Sequence, residues 1–176
     1  MSSLTARFIW NFVLNQMQNE MKTQNDFTRE INSKAPVVFR QSITINAERE
    51  KVWSILTDIN GWSSWQAEIQ TAALEGEPIP GNAFTWHSGG TLIRSRIHTN
   101  HPSSNFGWTG GMPGLRAVHN WVLENNDGQT VVKVEESMEG LLARLLRSKL
   151  NRTLEESLES WLSLLKKQSE KTSNQG

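Results

Sequence analysis

The hydrophobic rhythm of the chain changes three times. Over residues 4–21, Ile9, Val13, Met17 and Met21 recur on one stripe, with Phe8 and Phe12 beside it, which is the period of an amphipathic helix. Residues 22–34 are polar, carry no period and run into Ala35-Pro36, so they read as a linker. From Val37 the period becomes two. Val37, Phe39, Gln41, Ile43 and Ile45 alternate with Val38, Arg40, Ser42 and Thr44, a strand with one buried face. Asn46 then offers an N-cap, Glu48 and Glu50 suit a first helical turn, and Val52, Trp53 and Leu56 supply an apolar face. Asn60-Gly61 ends that helix, and Trp62-Ser63-Ser64-Trp65 predicts a second short turn or helix.

Six further strand-like runs follow, at 68–74, 83–88, 91–99, 105–109, 115–124 and 129–137. Turn signals separate them at Pro78-Ile79-Pro80-Gly81, Gly89-Gly90, His101-Pro102-Ser103-Ser104, Gly110-Gly111-Met112-Pro113-Gly114 and Asn126-Asp127-Gly128. The short breaks predict hairpins, and hence a sequential antiparallel sheet. Gly140 opens one long helix to about residue 167, striped by Leu142, Leu146, Leu150, Leu154, Leu158, Trp161 and Leu165. Arg144, Arg147, Lys149 and Arg152 occupy its first half and Glu155, Glu156 and Glu159 follow, the reverse of what the helix macrodipole favours. These basic residues predict a solvated face, or otherwise a surface for an acidic ligand head or partner. The organisation expected is α+β: a helical extension and linker over 1–35, a single domain over 36–168 and a disordered tail over 169–176.

Composition narrows the function classes. Among 176 residues, 18 Lys and Arg balance 18 Asp and Glu, so no basic excess is available to hold a nucleic acid through its phosphates. The absence of Cys excludes disulfides, thiolate metal sites and Cys nucleophiles, and the absence of Tyr removes the phenol as an acid. Eight Trp and six Phe supply all the aromatic surface. No run approaches the ~20 apolar residues of a membrane span. The apolar stretch 8–14 leads into Asn15-Gln16 rather than a small-residue cleavage site, so a cytoplasmic location without membrane insertion is expected. The helix over 4–21 is expected to pack on its own domain or on a second copy as a homodimer contact. Its polar face lacks the Lys and Arg that an anionic membrane surface favours.

Strand alternation assigns faces to the candidate site. Phe84 and Trp86, Ile93, Ser95 and Ile97, Phe106 and Trp108, Ala117, His119, Trp121 and Leu123, then Val132, Val134 and Glu136 share the inner face. His87, Arg94, Arg96 and His98 fall on the outer one. With Trp65, Leu146 and Leu150 added, the inner set describes an apolar binding pocket with three polar handles, Ser95, His119 and Glu136. His119 and Glu136 lie on consecutive strands of one hairpin. A His oriented by a carboxylate is a general base toward an acidic C–H or hydroxyl, so both are candidate catalytic residues. A buried polar pair, or a Glu capping the following helix, is the structural alternative, and both readings stay open at this point. His98-x-x-His101 has no third ligand beside it, and zinc needs three or four. Neither a metal nor a cofactor is therefore expected. The glycine-dense stretch 107–114 leads into a strand, which predicts a mobile rim over the pocket mouth rather than a phosphate loop. Asn151-Arg152-Thr153 matches a glycosylation sequon only by chance, mid-helix.

The order of elements is itself distinctive: a strand, two short helices, six antiparallel strands and one long helix. Ile45-Asn46-Ala47 running into Val52-Trp53, then Leu56-Thr57-Asp58 and the stretch from Trp62 to Trp65, resembles the opening of the polyketide cyclase/dehydrase and lipid-transport proteins, within the START-related SRPBCC superfamily. Gly114-Leu115-Arg116-Ala117-Val118-His119-Asn120-Trp121-Val122-Leu123, followed by Asp127-Gly128 and Glu135-Glu136-Ser137, resembles the same family. The likeness covers about 37–167. It implies a helix-grip fold, a curved seven-stranded antiparallel sheet wrapped around a long C-terminal helix with an internal cavity. It also implies that a lipid- or polyketide-like hydrophobic or amphipathic small molecule binds in that cavity. The rival expectation is a cyclase/dehydratase-type enzyme with His119 as base and Ser95 or Glu136 positioning a hydroxyl or carbonyl. Several such cyclases use Tyr and Arg in the pocket, and this chain has no Tyr. A third is a protein-interaction module working through the N-terminal helix.

Overall fold

The computed structural model describes residues 29–171; the helix expected over 4–21, and the homodimer contact expected through it, lie outside them. Strand β1 (Val37–Ile45) leads into helix α1 (Arg49–Thr57) and a 3-10 turn (Ile59–Ser64). Strands β2 (Ile69–Leu74), β3 (Ala83–Ser88), β4 (Thr91–His101), β5 (Asn105–Met112), β6 (Leu115–Asn126) and β7 (Gln129–Glu139) follow in hairpin succession. Helices α2 (Leu141–Leu145) and α3 (Arg147–Ser169) end the fold. One antiparallel sheet results, ordered β1-β7-β6-β5-β4-β3-β2, with β1 folded back beside β7. Helix α3 lies against β1 and α1, and the buried side chains of the sheet's inner face meet its Leu154, Leu158, Trp161, Leu162 and Leu165. This is the helix-grip arrangement.

Local chemistry departs from expectation at three places. Helix α1 starts at Arg49 with Glu48 as its N-cap and no side-chain cap. Asn46 instead follows β1 directly, and its backbone N–H donates to Glu170 Oε1 at 2.7 Å, tying that strand end to the foot of α3. The final helix is broken. Gly140 sits at φ +113°, Leu142 N–H donates to Gly114 O at 3.1 Å, and the chain leaves helical geometry at Leu146, with φ −107° and ψ 23°. Seating α2 on the β5–β6 turn sets one direction, lying along the sheet sets another, and Leu146 absorbs the difference. Finally, the glycine-dense stretch is mostly strand. Strand β5 continues through Gly110 and Gly111 to Met112, leaving Pro113-Gly114 as the turn. Gly111 is required there, because a Cβ would stand 2.2 Å from the Leu115 carbonyl oxygen.

The core is organised by one side chain from the 3-10 turn. Trp62 is fully buried, and its Nε1–H donates to Leu56 O at 2.9 Å. Its ring meets Trp161 at 5.1 Å and Phe84 at 5.6 Å, both nearly edge-on, and Trp108 at 5.5 Å. Edge-to-face pairs contribute about 0.5–1.5 kcal/mol each beyond their area. Trp62 thereby plugs part of the space between sheet and α3.

Truncating that plug gives the first prediction. Trp62→Ala should destabilise the domain by about 3–5 kcal/mol, the range for a buried aromatic, measured by urea unfolding. Trp62→Phe keeps most of the volume but orphans the Leu56 carbonyl, and should cost about 1–3 kcal/mol. Equal losses for the two variants would show that the plug's volume is not what matters.

Candidate functional site

Beyond the plug, sheet and helix enclose a cavity of about 190 Å³. Eight residues of the expected pocket stand on its wall: Trp86, Ile93, Ser95, Trp108, Ala117, His119, Glu136 and Leu150. Seven do not. Phe84, Ile97, Phe106, Trp121 and Val134 are buried in the packed core, and Trp65 packs edge-on against Trp161 at 5.4 Å. Leu146, at the helix break, turns outward and is 45% exposed. Alternation assigns a side chain to a face but not to a depth along it, so residues that fill the core and residues that line the cavity look alike in the sequence.

The wall also holds residues that strand alternation did not single out. Met112 and Leu115 come from the β5–β6 hairpin, Ser88 from the β3–β4 hairpin and Met138 from β7. Helix α3 adds Thr153, Leu154, Ser157, Leu158 and Trp161. The helical stripe signalled Leu154, Leu158 and Trp161 as buried, and nothing in it showed that they face open space. Gly110 and Gly111 contribute bare backbone.

One polar constellation faces this apolar wall. Trp108, His119 and Glu136 are direct cross-strand partners on β5, β6 and β7. The imidazole of His119 stacks on Trp108 with centroids 4.2 Å apart and planes 11° from parallel. Its Nδ1 is 2.5 Å from Glu136 Oε2. With Glu136 as the carboxylate, which only accepts, the proton in that bond sits on Nδ1. Stacking fixes the ring plane and the hydrogen bond fixes its rotation. Nε2 is buried and has no partner among the described residues. The third handle, Ser95, accepts from Trp86 Nε1 at 3.1 Å, and both side chains border the cavity.

The outer face corrects one expectation. His98 does not face water; it is 5% exposed. The β4–β5 register shifts between Ile97 and Thr99, and the chain at Arg29 passes over the ring, with the Arg29 backbone N–H 3.4 Å from His98 Nδ1. Thr99 Oγ1 lies 2.8 Å from the same nitrogen. Burial, helped by the Arg29 charge, lowers the His98 pKa from 6.5 to about 4. His101 ends β4, and among the described residues no three His, Asp or Glu side chains converge as a metal site. Nor is any helix among them long and apolar enough to cross a membrane.

Comparison with known proteins agrees with this geometry. The family described as polyketide cyclase / dehydrase and lipid transport matches residues 36–170. No curated protein sequence matches the chain. Among solved structures, a hypothetical protein from Helicobacter pylori is similar at 16% identity and TM-score 0.70, covering 81% of this chain and 97% of that one. The Zhui aromatase/cyclase from a Streptomyces species is similar at 15% identity and TM-score 0.67, covering 76% and 93%. A START superfamily protein from Mycobacterium smegmatis gives 13% identity and TM-score 0.64, covering 76% and 97%. At these identities the likeness is one of fold.

The second prediction concerns His98. Its folded pKa lies below the unfolded value, so between the two the unfolded chain binds the extra proton. The stability that neutral His98 contributes is full above about pH 6.5 and is lost as pH falls toward about 4. His98→Gln should flatten stability against pH across that window in urea titrations. An NMR titration of His98 with a midpoint near 6.5 would overturn the assignment.

Proposed function

As this chain belongs to the polyketide cyclase/dehydrase and lipid transport family, we propose that its cavity binds a small apolar or amphipathic molecule carrying one hydrogen-bonding oxygen. The observation that carries this reading is the cavity wall itself: apolar almost throughout, with a single locked imidazole whose Nε2 is unpartnered. An unsatisfied buried polar group costs about 1–3 kcal/mol; Nε2 is closed to water, so a ligand hydroxyl would recover that cost only by a small shift of the side chains around the ring. Size narrows the class. Drug-sized sites run to about 300–1,000 Å³, whereas about 150 Å³ suffices for benzene. A volume of about 190 Å³ suits one or two rings or a short chain more than a whole sterol.

A second reading is supported by the same dyad. Nδ1 held by Glu136 leaves Nε2 as an oriented base, which suits proton abstraction from an acidic carbon or a hydroxyl and hence cyclisation or dehydration of a polyketide-like chain. Glu136 would orient the ring and hold its charge as the proton arrives. Ser95, two strands away on the same sheet face, would position a hydroxyl or carbonyl.

Both readings are tested on one ligand series. Naphthol-sized phenols, short β-diketones, fatty acids and sterols are titrated while Trp emission is followed. The smaller ligands should shift the spectrum with micromolar affinity, and Ala117→Phe, which fills the cavity at about 1–3 kcal/mol of overpacking, should abolish the shift. His119→Ala should weaken binding about two- to tenfold, the worth of one neutral hydrogen bond. Deuterium uptake from D2O at the acidic carbon of a bound β-diketone separates the readings. A fall of ~10²–10⁴-fold in exchange for His119→Ala, with binding retained, identifies a general base. No spectral shift with any ligand class would sink the binding proposal.

A further inference from the structure

The helix break exposes a surface that the cavity does not account for. Leu141 is 65% exposed, Leu145 70% and Leu146 45%, large values for leucines within one short segment. Leu141 and Leu145 are one helical turn apart on α2, so they share a face. Ala143, between them, is fully buried and Leu142 is held on the β5–β6 turn, so the outward direction of the leucines is set by the seat of α2. Met112, which is 39% exposed and also lines the cavity, stands on that same hairpin.

Charge accompanies the leucines. From Gly140 to Leu154 the chain contains Arg144, Arg147, Lys149 and Arg152 and no acidic residue. Arg144, Arg147 and Lys149 are exposed and make no ion pair among the described residues, while Arg152 pairs with Glu156. This costs the fold something. Helix α3 has no acidic residue in its first turn and no side-chain cap, and cations at a helix N-terminus oppose the macrodipole. A segment tuned for stability alone would carry the opposite charges.

We propose that α2 and the first turn of α3 form a docking surface for an anionic lipid bilayer, placed beside the cavity. The leucines enter the headgroup boundary and the basic side chains, with their long apolar stems, reach back to lipid phosphates. The chemistry selects this occupant. Leucines that stand out into solvent, on a segment whose Arg144, Arg147 and Lys149 make no ion pair among the described residues, match an anionic interface that is apolar a few ångströms below its surface. The segment is too short to span, and the contact is peripheral. The purpose of the dock rests on the binding reading above: an apolar molecule is found in a bilayer, and Met112 links the docked hairpin to the cavity that takes it.

The test is co-sedimentation of the full chain with vesicles of phosphatidylcholine alone and of phosphatidylcholine with about one-third phosphatidylserine, at low and high salt. Binding is expected only to the anionic vesicles, and salt should weaken it. Each removed cation should lower partitioning about fivefold, so Arg144→Gln/Arg147→Gln should lose more than tenfold, and Arg144→Lys/Arg147→Lys should retain binding. Leu141→Ser/Leu145→Ser should lose at least tenfold, whereas Ile79→Ser, at an exposed residue outside the segment, should change nothing. Thermal unfolding of each variant confirms that its fold is kept. Absence of sedimentation, or variants that sediment like the wild type, would overturn the proposal. Ala117→Phe separates the two ideas, because a filled cavity should leave vesicle binding intact. If the wild type binds vesicles but no soluble ligand, the cavity reading falls and the docking surface stands.

Discussion

The controlling constraint is the space between a curved sheet and a single helix. Seven strands bend round α3, and one helix cannot fill what they enclose with leucines alone. Trp62, entering from the 3-10 turn, solves half of this problem by meeting Phe84, Trp108 and Trp161 at once. Such a body of aromatic rings packs at interior density and divides the space into a filled part and a hollow part. Trp108 stands on the boundary, with Trp62 on one side and His119 stacked at 4.2 Å on the other. The position of the polar site is therefore set by the packing of the plug.

That boundary explains how an imidazole and a carboxylate can be buried in an apolar wall. Isolated, either group would be costly there; joined at 2.5 Å, each satisfies part of the other's hydrogen-bonding demand. A well-packed apolar pair of similar volume would serve stability as well or better. The dyad leaves Nε2 unpartnered, which stability alone does not reward. An arrangement that is locally suboptimal yet geometrically locked is the kind expected at a site of function.

Much of this was legible in the chain, for identifiable reasons. Period-two alternation with short glycine turns admits one hairpin succession, which puts His119 and Glu136 on neighbouring strands without fixing their register. Three things were not legible. The break at Leu146 keeps the leucine stripe almost in phase, so the pattern reads as one helix while the side chain of Leu146 swings into solvent. His98 alternates outward as expected, yet the chain at Arg29 covers it, and a crossing segment leaves no mark on strand periodicity. Phe84 and Trp86 share an inner face, but only Trp86 reaches the cavity wall, because depth depends on where Trp62 sits.

The break at Leu146 also ties the inside of the molecule to its surface. Were 140–167 one continuous helix, its apolar stripe would lie along the sheet from end to end. Seating Leu142 against Gly114 instead anchors α2 to the hairpin that carries Met112 and Leu115, two residues of the cavity wall. Gly114 and Gly140, both at positive φ, bring the two backbones together where a Cβ on Gly140 would stand 2.4 Å from Gly114 O. No side chain fits between them, so α2 is seated on the hairpin by a backbone contact. The break thus sets the exposed leucines of α2 beside a hairpin that supplies Met112 and Leu115 to the cavity wall, so surface and cavity are neighbours by construction.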